Sequence, residues 1–142
     1  TGYVPILTHP ERCHWIESHF DVVLALRNAG ALIQLTAGSI TGAFGRRPLY
    51  WFERMIDLGI VDIVPTDAHN VRTRPPILSE ARERIASLAG QHEAWQMVRD
   101  RPRAVLADQP VTLNRATGAT AGRPAESEVI RPAAHRLGGW WN

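Results

Sequence analysis

Two apolar runs in this chain end in side chains of the kind that bind metal ions, and no other feature constrains the fold as much. Val61-Asp62-Ile63-Val64-Pro65-Thr66 reads as a buried strand and stops at Asp67-Ala68-His69-Asn70. Tyr3-Val4-Pro5-Ile6-Leu7-Thr8 reads the same way and stops at His9-Pro10-Glu11-Arg12. Strands that deliver carboxylate and imidazole groups from one end predict the rim of a barrel or open sheet, where α/β enzymes place their chemistry.

The pattern between these runs supports that architecture. Trp15, Ile16, Phe20, Val23, Leu24 and Leu26 recur near helical spacing, and Gly30 is placed to end the helix in a left-handed cap. Ala31 to Thr36 reads as a short buried strand, and residues 37–45, rich in Gly, Ser and Thr, as a loop. Pro48 suits the first turn of a helix whose Leu49, Phe52, Met55 and Ile56 share a face, with Gly59 as its stop. Pro75-Pro76 breaks the chain, and helix is expected from about Leu78 to Ala89 and again from about His92 to Arg99. Arg101-Pro102-Arg103 predicts a further stop, with a last short strand at Ala104 to Leu106. Alternation of strand and helix indicates an α/β fold with mainly parallel strands. Three strands cannot close a barrel, but they can form one side of one. Beyond Leu113 the periodicity disappears, so 1–113 reads as domain and 114–142 as a poorly ordered tail.

Composition excludes several classes. The 142 residues suffice for one domain with a core, and no apolar run approaches the roughly 20 residues of a membrane span. No secretory leader is recognisable, and one cysteine excludes an internal disulfide, which together predict a cytoplasmic location. Every basic side chain is Arg. The last 28 residues hold four Arg against two acidic residues, which leaves twelve of each sign before them. No basic face is evident, so nucleic acid is not an expected partner. The chain opens on Thr1 and reaches an apparent core strand by Tyr3, which reads as a start partway through a domain; a trimmed short protein is the alternative.

Asp67 and His69 are two apart, so in an extended chain both point to one side. At a strand end they can reach one cation at roughly 2.0–2.2 Å. The competing reading is an Asp that caps the next helix beside a surface His. His9 stands at an equivalent strand end, so it can converge on the same ion or serve as a hydrogen-bonded rim residue. The planar fork of Arg12 can hold a phosphate oxygen or pair with Glu11 or Asp67. Arg72 and Arg74 flank the Asp-x-His loop, and either could add a second anion contact. The glycine-rich loop could approach an anion with its N–H groups but is not a Walker loop, because no Lys follows. Cys13 lacks the five-residue loop ending in Arg of cysteine-dependent phosphatases and reads as a packed thiol. His14, His19, His92 and His135 have no evident partners.

Three of these segments together resemble a known family. His9-Pro10-Glu11-Arg12, residues 34–45, and Thr66-Asp67-Ala68-His69-Asn70 with Arg74-Pro75-Pro76 follow the order and spacing of the bacterial capsule and exopolysaccharide tyrosine phosphatases. These are the CpsB/CapC/YwqE type within the PHP (polymerase and histidinol phosphatase) superfamily, and the likeness covers about residues 2–110. It implies a distorted (β/α)7 barrel with two or three divalent ions, often Mn²⁺. It also implies hydrolysis of phosphotyrosine on proteins, notably the tyrosine autokinases that control polysaccharide export. By position, His9, Asp67 and His69 resemble metal ligands, and Arg12 and Arg74 the arginines beside the substrate phosphate. No cysteinyl phosphate is involved.

The chain also departs from that family. The His-x-His strand and the further His and Glu ligands that the family places before its His-Pro-Glu-Arg motif are not in this sequence, and Thr66 replaces a frequent Ser. The chain alone is therefore expected to be inactive or nearly so. Two other readings compete: a PHP phosphoesterase acting on a small phosphate ester such as histidinol phosphate, and a non-catalytic interaction module derived from a PHP half-barrel.

Overall fold

A computed structural model describes residues 3–114 and 127–130, the latter and Asn114 by backbone only. The first apolar run forms β1 (Ile6–Thr8) and the second expected strand forms β2 (Leu32–Gln34). They pair in parallel, Ile6 with Leu32 and Thr8 with Gln34. The run at 60–64 lies against the other edge of β2 through one parallel bridge, Gln34 with Ile63. It also receives the Leu35 N–H at Ile63 O (3.0 Å) and donates from Asp62 N to Ile33 O (2.9 Å). No regular ladder forms there because the Asp62 carboxylate, rather than a backbone carbonyl, accepts the Ile33 N–H at 2.7 Å. All three segments run the same way, so His9, Thr36 and Thr66 emerge at one edge of the sheet.

Side chains alternate across this sheet, and both faces are covered. Ile33 and Leu35 join the main core with Ile16, Val23, Phe52, Met55, Val64, Ile85 and Met97. Leu32 and Ile63 join a smaller cluster with Val111 and Leu113. Two-sided burial is why these strands read as continuous apolar runs rather than alternating ones. Each fully buried Leu, Ile or Phe contributes about 1.5–3 kcal/mol.

The helices that carry the larger face follow the sequence with some corrections. The expected first helix begins as a 3-10 turn (His14–Glu17) and continues as α1 (Phe20–Asn28). Val23 and Ile16 are fully buried, whereas Leu24 and Leu26 are about one-third exposed. Gly30 has φ 96°, and the Ala31→Leu26 and Gly30→Arg27 hydrogen bonds close a Schellman cap. The loop expected at 37–45 starts as a helical turn, α2 (Ala37–Ile40). α3 (Arg46–Asp57) buries Trp51, Phe52, Met55 and Ile56, and α4 (Ser79–Ala89) buries Ala81 and Ile85.

The stop expected at Arg101 is absent, as is the strand at Ala104–Leu106. Instead α5 (Gln91–Trp95) widens into a π turn (Gln96–Asp100) and continues as α6 (Arg101–Leu106). Proline lacks the N–H that a helical ladder requires, and the π turn carries the helix past Pro102 at the start of α6. The buried Arg101 side chain reinforces the continuation by donating to Glu93 Oε1 (2.7 Å), Thr112 O (2.9 Å) and Asp62 O (3.4 Å). The last strand is β3 (Val111–Asn114), which pairs antiparallel with β4 (Ser127–Ile130). The segment expected as tail therefore contains a strand, because backbone pairing with β3 does not depend on a hydrophobic period. The remainder of the expected tail, with His135, lies outside the described residues.

Asp62 links sheet and helices, with Arg27 Nη2 at 3.1 Å from its Oδ1. Burial pushes its carboxyl up to about 6, against the opposing effects of Arg27, the Ile33 N–H and Arg101. The folded chain thus keeps a proton on Asp62 between pH 3.8 and about 6 that the unfolded chain has lost. By linkage, the contribution of this group to stability is full at low pH and declines as pH rises through that window. The difference in urea unfolding free energy between the parent and Asp62→Asn should fall by roughly 1–3 kcal/mol from pH 4 to pH 6.5. A difference independent of pH would contradict this.

Candidate active site at the carboxyl edge of the sheet

β1 leads directly into His9, whose N–H donates to Gln34 O at 2.8 Å and extends the pairing with β2. His9 is left-handed at φ 40°, and so is Asp67 at φ 54°. Such backbone costs about 1–2 kcal/mol in a residue with a Cβ and persists where the surroundings enforce it. Asp108, in the turn after α6, shares this geometry away from the site, so backbone strain alone does not mark it.

After His9, a 3-10 turn (Pro10–Arg12) presents Glu11 and Arg12 to opposite surroundings. Glu11 is fully buried. Its Oε1 accepts the Thr36 N–H at 2.9 Å and the Ser39 hydroxyl at 2.8 Å, and its Oε2 has no hydrogen-bond partner among the described residues. Burial raises its pKa, opposed by the Thr36 and Ser39 hydrogen bonds. This contact explains α2: its N-terminal edge receives its acceptor from a side chain 25 positions upstream of Thr36. No local pattern could have shown that.

Arg12 stays at the cleft. Its Nη1 donates to Asp67 Oδ2 at 3.0 Å, and Arg74 Nη2 donates to the same oxygen. Arg12 thus pairs with Asp67, one of its two expected partners, and not with Glu11. Both guanidiniums lie over the Phe44 ring, at 4.3 Å and 5.6 Å from its centroid. The ring lies close against Gly38, where a Cβ would stand 2.7 Å from Phe44 Cε2. Arg74 reaches the site because residues 69–74 fold back on themselves. The Asn70 side chain accepts the Arg72 and Thr73 N–H groups at 2.9 and 2.7 Å, and His69 N donates to Arg74 O at 3.2 Å. Neither Phe44 nor Asn70 is marked as a site residue by the sequence motifs. Asn70 could have been found from the tendency of Asn to accept N–H groups two and three residues on. Phe44 carries no such local signal.

His9, Arg12, Cys13, Asp67, His69 and Arg74 line one open cleft of about 410 Å³. Arg72 is exposed and is not among its lining residues. His69 Nδ1 is 2.8 Å from Asp67 O. A carbonyl can only accept, so Nδ1 carries the proton and the lone pair is on Nε2, the arrangement common in imidazole ligands. Two imidazoles and a carboxylate suit a divalent cation by donor type. They do not close around one, since Asp67 engages two arginines, and among the described residues no three His, Cys, Asp or Glu side chains are placed to share an ion. Two guanidiniums against one carboxylate leave net positive charge in the cleft, which favours an anion with several acceptor oxygens.

The family model for capsular polysaccharide synthesis, CpsB/CapC, matches residues 1–107. The chain belongs to the CpsB/CapC family. The putative tyrosine-protein phosphatase CapC of Staphylococcus aureus is 39% identical over 79 residues, 56% of this chain and 31% of that protein. The tyrosine-protein phosphatase YwqE of Bacillus subtilis (strain 168) is 37% identical over 73 residues, 51% of this chain and 29% of that protein. The tyrosine-protein phosphatase CpsB of Streptococcus pneumoniae is 27% identical over 113 residues, 76% of this chain and 46% of that protein. The chain therefore spans less than half the length of these relatives. A solved chain from work on YwqE of Bacillus subtilis and CpsB of Streptococcus pneumoniae, described as unique metal-dependent tyrosine phosphatases, superposes with a TM-score of 0.73 at 29% identity. The match covers 86% of this chain and 48% of that one. The mixed α/β arrangement with its small parallel sheet is thus shared with this family.

The contact between Gly38 and Phe44 gives a direct test of the local packing. Gly38→Ala should destabilise the chain by about 1–3 kcal/mol, since the ring must leave its place. Phe44→Leu should relieve part of that loss in the double variant, giving a coupling of at least about 0.5 kcal/mol by urea unfolding. Additive losses would contradict the contact.

Proposed function

We propose that residues 1–113 are the carboxyl-terminal portion of a metal-dependent protein-tyrosine phosphatase domain, one part of a distorted (β/α)7 PHP barrel. In this reading His9, Asp67 and His69 are this chain's share of the ligands for divalent ions, Mn²⁺ by preference. Arg12 and Arg74 hold the equatorial oxygens of the substrate phosphate. A bound cation supplies an activated water and charge neutralisation at phosphorus. The substrate is phosphotyrosine on a protein, a bacterial tyrosine autokinase being the expected one, and the process is control of capsule or exopolysaccharide synthesis in the cytoplasm. Alone, the chain is inactive or nearly so, because among the described residues no three ligand side chains enclose an ion. Among the described residues no helix is long and apolar enough to cross a membrane.

The observation that carries this reading is the pairing of Arg12 and Arg74 on a single oxygen of Asp67, with His9 and His69 in the same cleft. The arginines provide fork-shaped donors where charge develops on a transferring phosphoryl group, and they are preorganised on Phe44. A covalent route through Cys13 is not favoured, since its thiol donates to His9 O at 3.7 Å and the sequence after it lacks the five-residue loop ending in Arg that cysteine-dependent phosphatases use. One observation favours a non-catalytic module instead: the absence of a three-ligand set among the described residues.

A chimaera separates these readings. Residues 1–107 replace the matching segment of Bacillus subtilis YwqE, and phosphotyrosine peptide hydrolysis is measured with and without Mn²⁺. The expected outcome is metal-dependent activity that chelation abolishes and Cys13→Ser leaves intact. Arg12→Ala should cost about 10²–10³ in kcat/KM, and His9→Ala and Asp67→Ala at least as much. Activity that survives chelation, or that survives both ligand substitutions, would overturn the proposal. Faster turnover of histidinol phosphate than of phosphotyrosine peptide would move it to small esters.

A further inference from the structure

The cleft that holds the arginine pair is not the only cavity touching Arg74. A second one, about 280 Å³, lies against the same residue and is lined on its other sides by Gly38, Thr41, Phe44, Pro75 and Ile77, among others. Arg74 is common to both cavities, and the Phe44 ring stacks beneath Arg12 and Arg74 while also walling the second cavity. An occupant anchored by an anionic group on the two arginines can therefore extend past Arg74 and along Phe44.

The chemistry of the second cavity selects what that extension is. Its walls combine an apolar part (Ala37, Ala43, Phe44, Pro75 and Ile77) with threonines, Glu80 and Arg74. The Thr41 hydroxyl already donates to Gly38 O at 3.4 Å, so it is committed locally. Ile77 is 59% exposed and offers an apolar rim. The size is at the small end of ligand pockets, near 300 Å³, which suits one ring and not a longer segment. A ring placed there meets the Phe44 ring and the Arg74 guanidinium, both of which favour aromatic partners.

We propose that this cavity is the aryl subsite: it receives the aromatic ring of the phosphorylated side chain while the phosphate rests on Arg12 and Arg74. This rests on the phosphatase reading above and deepens it, because it assigns the discrimination between aryl and alkyl phosphate esters to Phe44, Ile77 and their neighbours. An alkyl ester would fill the arginine cleft and leave the apolar walls in water. Gly38 has a part in specificity as well, because any side chain there would displace the Phe44 wall.

The test uses the full chain and three probes: inorganic phosphate, methyl phosphate and phenyl phosphate. Each is titrated with binding read from amide chemical shifts. Phenyl phosphate should bind about tenfold or more tightly than methyl phosphate, as expected for taking one aromatic ring out of water. Only phenyl phosphate should shift the amides of Gly38, Thr41 and Ile77, while all three probes shift those of Arg12 and Arg74. Ile77→Ala, at an exposed position, should bring the phenyl-to-methyl ratio down to about threefold. Equal binding of phenyl and methyl phosphate, with shifts at Arg12, would overturn the aryl subsite and leave the phosphatase reading standing. No binding by any of the three would overturn the arginine anchor and the aryl subsite with it, whereas the phosphatase reading stands or falls with the chimaera. Should the Ile77 variant fail to fold, the wild-type ratio and the position of the phenyl-specific shifts decide the matter.

Discussion

A buried carboxylate holds this site together. Glu11 ties the turn after β1 to the first turn of α2 through the Thr36 amide and the Ser39 hydroxyl. Hydrogen bonds of this kind contribute about 0.5–1.5 kcal/mol each, and a buried group left without its partner costs about 1–3 kcal/mol, enough to decide the conformation of a short turn. The rest follows in sequence. The turn carries His9 and Arg12, α2 carries Gly38, and the lack of a side chain at Gly38 admits the Phe44 ring. That ring supports both arginines, and the arginines hold Asp67. Segments more than 50 residues apart in sequence thus meet through one continuous chain of contacts.

The outer end of that chain is weak by design of its exposure. Arg12, Arg74 and Asp67 are each about 30% exposed (32%, 30% and 27%), and ion pairs at such exposure contribute only about 0–1 kcal/mol. The contact can therefore be exchanged at little cost. Under the proposed function, an anion entering the cleft would compete with Asp67 for the same guanidinium donors, and the carboxylate it released would be free to meet a cation. The inner end is different. Glu11 and Asp62 are fully dehydrated, and their hydrogen bonds cannot be traded for water. A rigid base with an exchangeable rim is what a site for a charged, transient ligand requires.

The parts of this arrangement that could be read from the sequence were those set by local pattern. Apolar runs gave strand positions, Gly30 and Gly59 gave helix ends, and the two strand-end motifs brought five polar side chains to one cleft. The parts that escaped depend on distant partners. α2 needs Glu11 as its acceptor, so residues 37–45 read as loop. The third parallel segment is reduced to a bridge because the Asp62 side chain takes the place of a backbone acceptor. The helix runs through Arg101-Pro102 because a π turn carries it past the missing N–H and because the buried Arg101 side chain finds three acceptors. Phe44 lies among glycines, in a stretch with no apolar period to mark its ring as part of a packed site. The roles proposed for the cleft residues rest on resemblance to the CpsB/CapC family, since the residue spacing alone leaves them open.

The most direct measurement of the Glu11 brace is native-state hydrogen exchange on Glu11→Ala against the parent chain. The amides of His9, Arg12 and Cys13, each hydrogen-bonded within or beside the turn, should lose protection by about tenfold or more, the effect of removing at least 1.4 kcal/mol of local stability. Amides in the middle of α3, around Phe52 and Met55, should change far less. Unchanged protection at His9, Arg12 and Cys13 would show that the turn holds without the buried carboxylate, and the account of how this site is assembled would fail.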